Sequence, residues 1–260
     1  MYPYINLFGR VIPSYGLMGA LGFILGLFYI LLFSKRFGLK RDDGIYIFTL
    51  GSVGALIGAK LLYLLISLPN IIKDLPLLKE NFSLFFSKYI SGGLVFYGGL
   101  VGGIVGAVLT AKYFGLSLKK HFPVLVPALI VLSAMGRVGC FLTGCCYGVH
   151  TDSFIGVHFP QGGIAPSGIS LIPVQLIEAF ADLLLFLFIV WVTSRENLKD
   201  YSLYLYIIIY AIIRFVLEFY RGDIVRGFFF GLSTSQWISL AAIVFVGTYL
   251  LKKIKHKNKA

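Results

Sequence analysis

Charge is what this chain has least of. Only 13% of its 260 residues are Asp, Glu, Lys or Arg, about half the share expected of a soluble domain. Acidic residues are the scarcer sign, 11 against 23 basic ones. A soluble globular enzyme is therefore excluded. Cysteine is nearly absent too: three thiols, odd in number and all within residues 140–146, rule out a disulfide framework. The chain also lacks linkers, low-complexity segments and internal repeats, so residues 1–260 are expected to form a single membrane-embedded domain. Its first apolar run has no basic leader and no small-residue cleavage site after it. That separates it from a signal peptide, and it is expected to be retained as a helix.

What is present is apolar. Hydrophobic residues make up 58% of the chain, and the mean hydropathy is +0.88. Runs at 14–33, 45–68, 94–114, 123–141, 173–193, 201–220 and 235–251 are each long enough for a hydrocarbon layer of about 30 Å. The predicted fold is an all-α polytopic membrane protein with about seven transmembrane helices. Gly51, Gly54 and Gly58 in the second run, and Gly98, Gly99, Gly102, Gly103 and Gly106 in the third, predict close helix contact. The aromatic loop at 69–90, with Pro69 and Pro76, is expected to hold a short helix on the membrane surface.

The basic excess reads first as topology. With the N-terminus outside and the C-terminus inside, segments 35–44, 112–121, 195–200 and 252–260 face inward and carry fourteen Lys or Arg. The outward segments 1–13, 69–90, 147–172 and 221–232 carry six. The positive-inside bias favours that orientation, and the remaining charge suits anionic lipid heads. Nucleic acid is not implied. His121 and His256 fall in basic inner segments and are expected to be solvated.

Three cations lie within the spans: Lys60, Arg137 and Arg214. A cation at such depth costs about 2.5–3.5 kcal/mol on insertion scales and is tolerated mainly where it faces a cavity or partner. Tyr15, Tyr97 and Glu178 lie early in inward-running spans, the cations late in outward-running ones, so all six are expected in the outer half of the membrane. Glu218 follows Arg214 by one turn and shares its face. A structural ion pair explains Arg214 and Glu218 taken alone. Adding Arg137, Lys60 and the four glycines of 136–148 (Gly136, Gly139, Gly144 and Gly148) turns the balance toward a site. Several cations beside one or two carboxylates suit the head group of an anionic phospholipid.

These residues carry a resemblance over nearly the whole chain. Ser14-Tyr15-Gly16-Leu17-Met18, Ile57-Gly58-Ala59-Lys60 and Phe96-Tyr97-Gly98-Gly99-Leu100-Val101-Gly102 resemble, in order, the first three helix motifs of the prolipoprotein diacylglyceryl transferase family. Gly136-Arg137-Val138-Gly139 opens its signature. Pro173-Val174-Gln175-Leu176-Ile177-Glu178-Ala179, Arg214-Phe215-Val216-Leu217-Glu218-Phe219 and Gly231-Leu232-Ser233-Thr234-Ser235-Gln236 match its last three motifs. The departures fall on chemistry. Tyr97 and Ile172 stand where the family usually has His, Lys60 where Arg is usual, and Cys140, Thr143 and Cys145 where its signature has Asn, Asn and Glu.

The resemblance implies transfer of diacylglycerol from phosphatidylglycerol to a lipoprotein-precursor cysteine, in a multi-pass protein of the bacterial plasma membrane. Arg137, Arg214, Glu218 and Tyr97 would then be catalytic. Tyr15, Lys60, Gly98, Gly99, Gly136, Gly139, Gln175 and Glu178 would bind substrate. No metal or organic cofactor is required. Two alternatives stay open: a divergent paralogue with another acceptor, and a non-catalytic phospholipid-binding protein. A transporter fits less well, because the polar residues gather at one depth instead of lining a path across. Cys140, Cys145 and Cys146 are left between helix packing, a covalent relay through Cys145 or Cys146, a metal site with His150 or His158 and a redox pair.

Overall fold

The computed structural model describes residues 2–7, 9–223 and 227–257; the side chains of residues 254, 256 and 257 lie outside that description, and with them the expectation for His256. Among the described residues, seven helices are long and apolar enough to cross a membrane: α1 (Ser14–Phe33), α2 (Arg41–Lys73), α5 (Phe96–Tyr113), α6 (Leu118–Thr143), α7 (Val174–Thr193), α8 (Ser202–Leu217) and α9 (Thr234–Lys257). The first agrees with its expected range to the residue. Two short helices, α3 (Leu77–Glu80) and α4 (Phe82–Phe85), occupy the loop where a surface helix was expected.

Helix α2 runs well beyond its expected 45–68. It spans 33 residues and passes through Pro69, which makes it about 50 Å long at 1.5 Å per residue. Hydropathy marks only the part that lies in hydrocarbon, so the polar ends at Arg41 and Lys73 escaped it. Helix α6 likewise begins before Pro123 and contains both Pro123 and Pro127. Each proline removes one main-chain bond from the ladder. The extension corrects one expectation. His121 falls in the first turn of α6, is only 4% exposed, and donates from Nδ1 to the Ser117 carbonyl at 2.8 Å, so it is not solvated.

The chain divides into two compact units, residues 33–121 and residues 1–32 with 122–260. In the first unit, α2 and α5 pack through glycine. A Cβ built on Gly54 would stand 2.5 Å from the Gly102 carbonyl oxygen and 3.1 Å from the Gly106 Cα. Gly58 and Gly98 face each other in the same way. The Val95 amide donates to the Ala59 carbonyl at 3.1 Å, fixing where α5 begins against α2. Beyond the end of α2, Asp74 accepts from Lys88 Nζ and from the Tyr89 hydroxyl, each at 2.6 Å.

The second unit opens with a hairpin that periodicity had not suggested. Strands β1 (Tyr4–Leu7) and β2 (Arg10–Pro13) pair antiparallel, with Gly9 turning the chain at φ 77°. The Ser14 amide then donates to the Pro3 carbonyl at 2.9 Å at the start of α1. A Cβ on Gly22 of α1 would lie 2.9 Å from the Met135 Cβ of α6. The core behind this face is Val126, Ile130, Leu185 and Ile189, with Tyr206, Ile209, Tyr210 and Ile213 of α8 packed on it. At the start of α9, Ser233 and Gln236 form a reciprocal cap: the Ser233 amide donates to Gln236 Oε1 at 2.9 Å, and the Gln236 amide donates to Ser233 Oγ at 3.3 Å.

Candidate functional site

The loop after α6 ties helix ends together. Gly148 donates its amide to the Ile172 carbonyl at 3.1 Å, and Ile172 donates to Val149 at 3.0 Å, just before α7. Val149 donates to the Tyr220 carbonyl and Gly222 to the Tyr147 carbonyl, each at 2.9 Å, just after α8. The approach is so close that a Cβ on Gly148 would stand 2.8 Å from Val174 Cγ2, and a Cβ on Gly222 would stand 2.5 Å from the Gly148 carbonyl oxygen. The short strands β3 (Val157–His158) and β4 (Ser170–Leu171) pair within the same loop. Phe159, Ala165 and Leu171 give it a small core of its own, with Phe141 against them.

Under this knot, α6, α7 and α8 bring their charges together. Arg137 Nη2 lies 2.9 Å from Glu178 Oε1. Arg214 Nη1 lies 3.8 Å from the other oxygen of the same carboxylate, and its Nη2 lies 2.8 Å from Glu218 Oε2. Glu178 is 1% exposed and thus sits between two guanidinium groups inside a span. Leaving such a carboxylate or cation without its partner would cost several kcal/mol. Tyr210 and Ser235 complete the set: Arg137 Nη2 donates to the Tyr210 hydroxyl at 3.4 Å, and Arg214 Nη2 donates to Ser235 Oγ at 3.3 Å. Tyr210 and Arg214 of α8 and Glu218, at its C-terminal cap, follow at intervals of four and share one face.

A second rung lies one turn deeper. Ser133 Oγ donates to Asp182 Oδ2 at 2.8 Å. Ser133 precedes Arg137 by four residues and Asp182 follows Glu178 by four, so the two rungs show α6 and α7 running antiparallel. Asp182 is fully buried, and its Oδ1 has no hydrogen-bond partner among the described residues. Sequence reasoning missed Asp182, Ser133, Tyr210 and Ser235. The signal for Asp182 was there: an acid at one-turn spacing from Glu178 in an otherwise apolar run.

Gln175, also 1% exposed, donates from Nε2 to the Cys145 carbonyl at 2.7 Å and so holds α7 against the signature loop. Tyr15 packs on Gly139, where a Cβ would stand 3.2 Å from its ring. Gly136 is different, since a Cβ there would meet nothing within 4 Å. Just outside the span, Arg221 forms a two-pronged pair with Asp223, at 3.1 Å from Nε and 2.9 Å from Nη2. The Cys146 thiol is held below the ordinary cysteine range by the neighbouring Cys140 and Cys145 thiols, with the charges of Arg221 and Arg137 adding to the effect and burial opposing it.

The remaining expected residues lie in the unit formed by residues 33–121. Lys60 donates from Nζ to the Gly92 carbonyl at 2.5 Å and stands 5.0 Å from the centre of the Tyr63 ring. Tyr97 is half-exposed, edge-on to Phe96 with ring centres 5.7 Å apart. Gly98 is buried against the backbone of Gly58, and Gly99 meets Ala55 and Ala59 of α2. For these two glycines, helix packing accounts for the residue type.

The likeness to known proteins runs the length of this architecture. The family model described as prolipoprotein diacylglyceryl transferase matches residues 4–252. A phosphatidylglycerol–prolipoprotein diacylglyceryl transferase of Clostridium tetani is 37% identical over 239 residues, covering 92% of each chain. A second transferase of that name from Clostridium perfringens is 36% identical, covering 96% of this chain and 93% of its own. The corresponding protein of Geobacter sulfurreducens is 35% identical over 80% of this chain and 76% of its own. With seven membrane-spanning helices and a match from the first strand into the last helix, this multi-pass membrane protein belongs to the prolipoprotein diacylglyceryl transferase family.

Proposed function

We propose that this chain moves a diacylglyceryl group from phosphatidylglycerol to the thiol of a lipoprotein-precursor cysteine, at the outer half of a bacterial plasma membrane. The observation that carries the reading is the placement of Glu178 between Arg137 and Arg214 within membrane-spanning helices. Among the described residues, Arg137 pairs only through Nη2. Its Nε and Nη1 donors remain for a phosphate, which a guanidinium can grip through two parallel bonds. The side chains of Arg137 and Arg214 keep 16% and 13% exposure, against 2% for Glu178. The carboxylate is sealed in and the cations are not. The names of the relatives support the same donor and acceptor.

The chemistry follows from that clamp. The acceptor thiol loses its proton, because the thiolate is the nucleophile. Sulfur attacks the glycerol carbon bonded to the phosphate oxygen. A carbon–sulfur bond forms, the carbon–oxygen bond breaks, and glycerol phosphate leaves with the electron pair. Arg137 and Arg214 offset the charge that grows on that leaving group, while Glu178 and Glu218 hold the two guanidiniums in position. We assign the proton-relay role to Tyr97, which stands at the family's usual His position; a phenol with an ordinary pKa of about 10 is a weaker base than imidazole.

The test is transfer itself. Purified protein incubated with labelled phosphatidylglycerol and a lipobox peptide should yield peptide heavier by one diacylglyceryl group, by mass spectrometry. Lipid that binds without any modified peptide would leave the alternative, a non-catalytic phospholipid-binding protein.

A further inference from the structure

The three thiols of the chain form a group that the transfer chemistry does not use. Cys140 lies in the last turn of α6, and Cys145 and Cys146 follow in the turn after it. The chain bends back there through left-handed conformations at Gly144 (φ 76°) and Cys146 (φ 59°), the second at a residue with a side chain. The result is that all three Sγ atoms lie within 4.8 Å of one another. All three thiols are free. We infer that Cys140, Cys145 and Cys146 form a three-sulfur binding site for a thiophilic d10 metal cation.

The geometry is close to finished. A metal–sulfur bond of about 2.3 Å puts three sulfurs around one metal about 4 Å apart. The observed spacing exceeds that by less than about 1 Å. Three thiolates and no oxygen ligand select soft cations over magnesium or calcium. No histidine joins the group among the described residues; His150 pairs instead with Asp152 at 3.6 Å. The metal therefore has three protein ligands and a position left open.

The surroundings suit the charge of such a site. Each thiol gives up one proton to solvent on binding, so three thiolates around a divalent cation carry a net charge of −1. Arg137 and Arg221 lie within electrostatic reach of Cys146. The Thr143 hydroxyl stands 3.8 Å from Cys145 Sγ. Cys140 is buried while Cys145 and Cys146 are half-buried, which leaves a route in for the ion. The loop is braced from behind by Gln175, whose amide holds the Cys145 carbonyl at 2.7 Å. The spacing Cys-x4-Cys-Cys matches no common zinc pattern, which is why the sequence alone did not single it out.

The test is cadmium(II) binding to the reduced full-length protein in detergent, and it needs no transfer assay. We expect one cadmium per chain, a sulfur-to-cadmium charge-transfer band in the ultraviolet, and protection of all three thiols from alkylation. Protection is read on the unaltered chain, so it stands even if a variant folds poorly. Cys140→Ser, Cys145→Ser and Cys146→Ser should each weaken binding by more than about tenfold, because losing even an outer-shell partner costs metal sites that much. Equal alkylation of the three thiols with and without cadmium would overturn the proposal. So would a charge-transfer band that survives all three substitutions.

Discussion

Glu178 Oε1 lies 2.9 Å from Arg137 Nη2, and this contact joins α6 to α7 inside the membrane-spanning part of the chain. The same carboxylate faces Arg214 of α8 at 3.8 Å. One buried anion therefore sets the position of two cations from two different helices. Glu178→Gln keeps the shape and removes the charge. Breaking a buried pair from one side costs about 3–5 kcal/mol, so the variant should melt well below the unaltered protein in detergent. Asp182→Asn keeps an amide oxygen to accept from Ser133, so its cost should stay within the about 1–2 kcal/mol of a single hydrogen bond. A Glu178→Gln protein as stable as the Asp182→Asn protein would contradict the assignment.

The contact between α2 and α5 is made of backbone. A methyl group on Gly102 would run into the backbone of Gly54 and Gly58. Gly102→Ala should destabilise the protein by about 1–3 kcal/mol, the usual cost of overpacking. Gly16→Ala, where a Cβ meets nothing within 4 Å, is the control. Thermal unfolding of the two side by side decides it, and equal melting points would count against the glycine contact.

Tyr97→Phe removes one hydroxyl and nothing else. If Tyr97 relays the thiol proton, kcat should fall by about 100-fold, in the range of a lost general acid–base group, while KM for phosphatidylglycerol changes little. A rise in KM with kcat unchanged would move Tyr97 from proton transfer to lipid binding.

The orientation proposed from fourteen inner against six outer basic residues is open to direct measurement. A reporter active only in the cytoplasm should work when fused after Ala260 and stay silent when placed within 150–170. The reverse pattern would put the arginines on the other side of the membrane.

What could be read from the sequence, and what could not, divides along physical lines. The range of α1 was legible because apolar residues fill it and Ser34, Lys35 and Arg36 end it abruptly. The Arg214–Glu218 pair was legible because four residues along a helix is one turn. Which arginine Glu178 would meet was not, since that depends on how α7 is rotated against α6 and α8. Tyr210 and Ser235 stayed hidden for the same reason. The ends of α2 and α6 were misjudged where helix continues past the hydrocarbon, because hydropathy reports the solvent and not the hydrogen-bond ladder. The burial of His121 follows from that same extension. The thiol group depended on two left-handed residues that no spacing rule encodes.

The central claim is that Arg137 and Arg214 clamp a phospholipid phosphate, and phosphatidylglycerol binding measured by native mass spectrometry tests it most directly. Arg137→Lys and Arg214→Lys keep the charge but lose the planar two-donor fork. Each should bind phosphatidylglycerol about tenfold or more weakly than the unaltered protein, a loss of about 1.4 kcal/mol or more. The doubly substituted Arg137→Ala, Arg214→Ala protein should retain no measurable preference for it over a zwitterionic lipid. A double variant that folds and still binds phosphatidylglycerol as tightly as the unaltered chain would contradict the account.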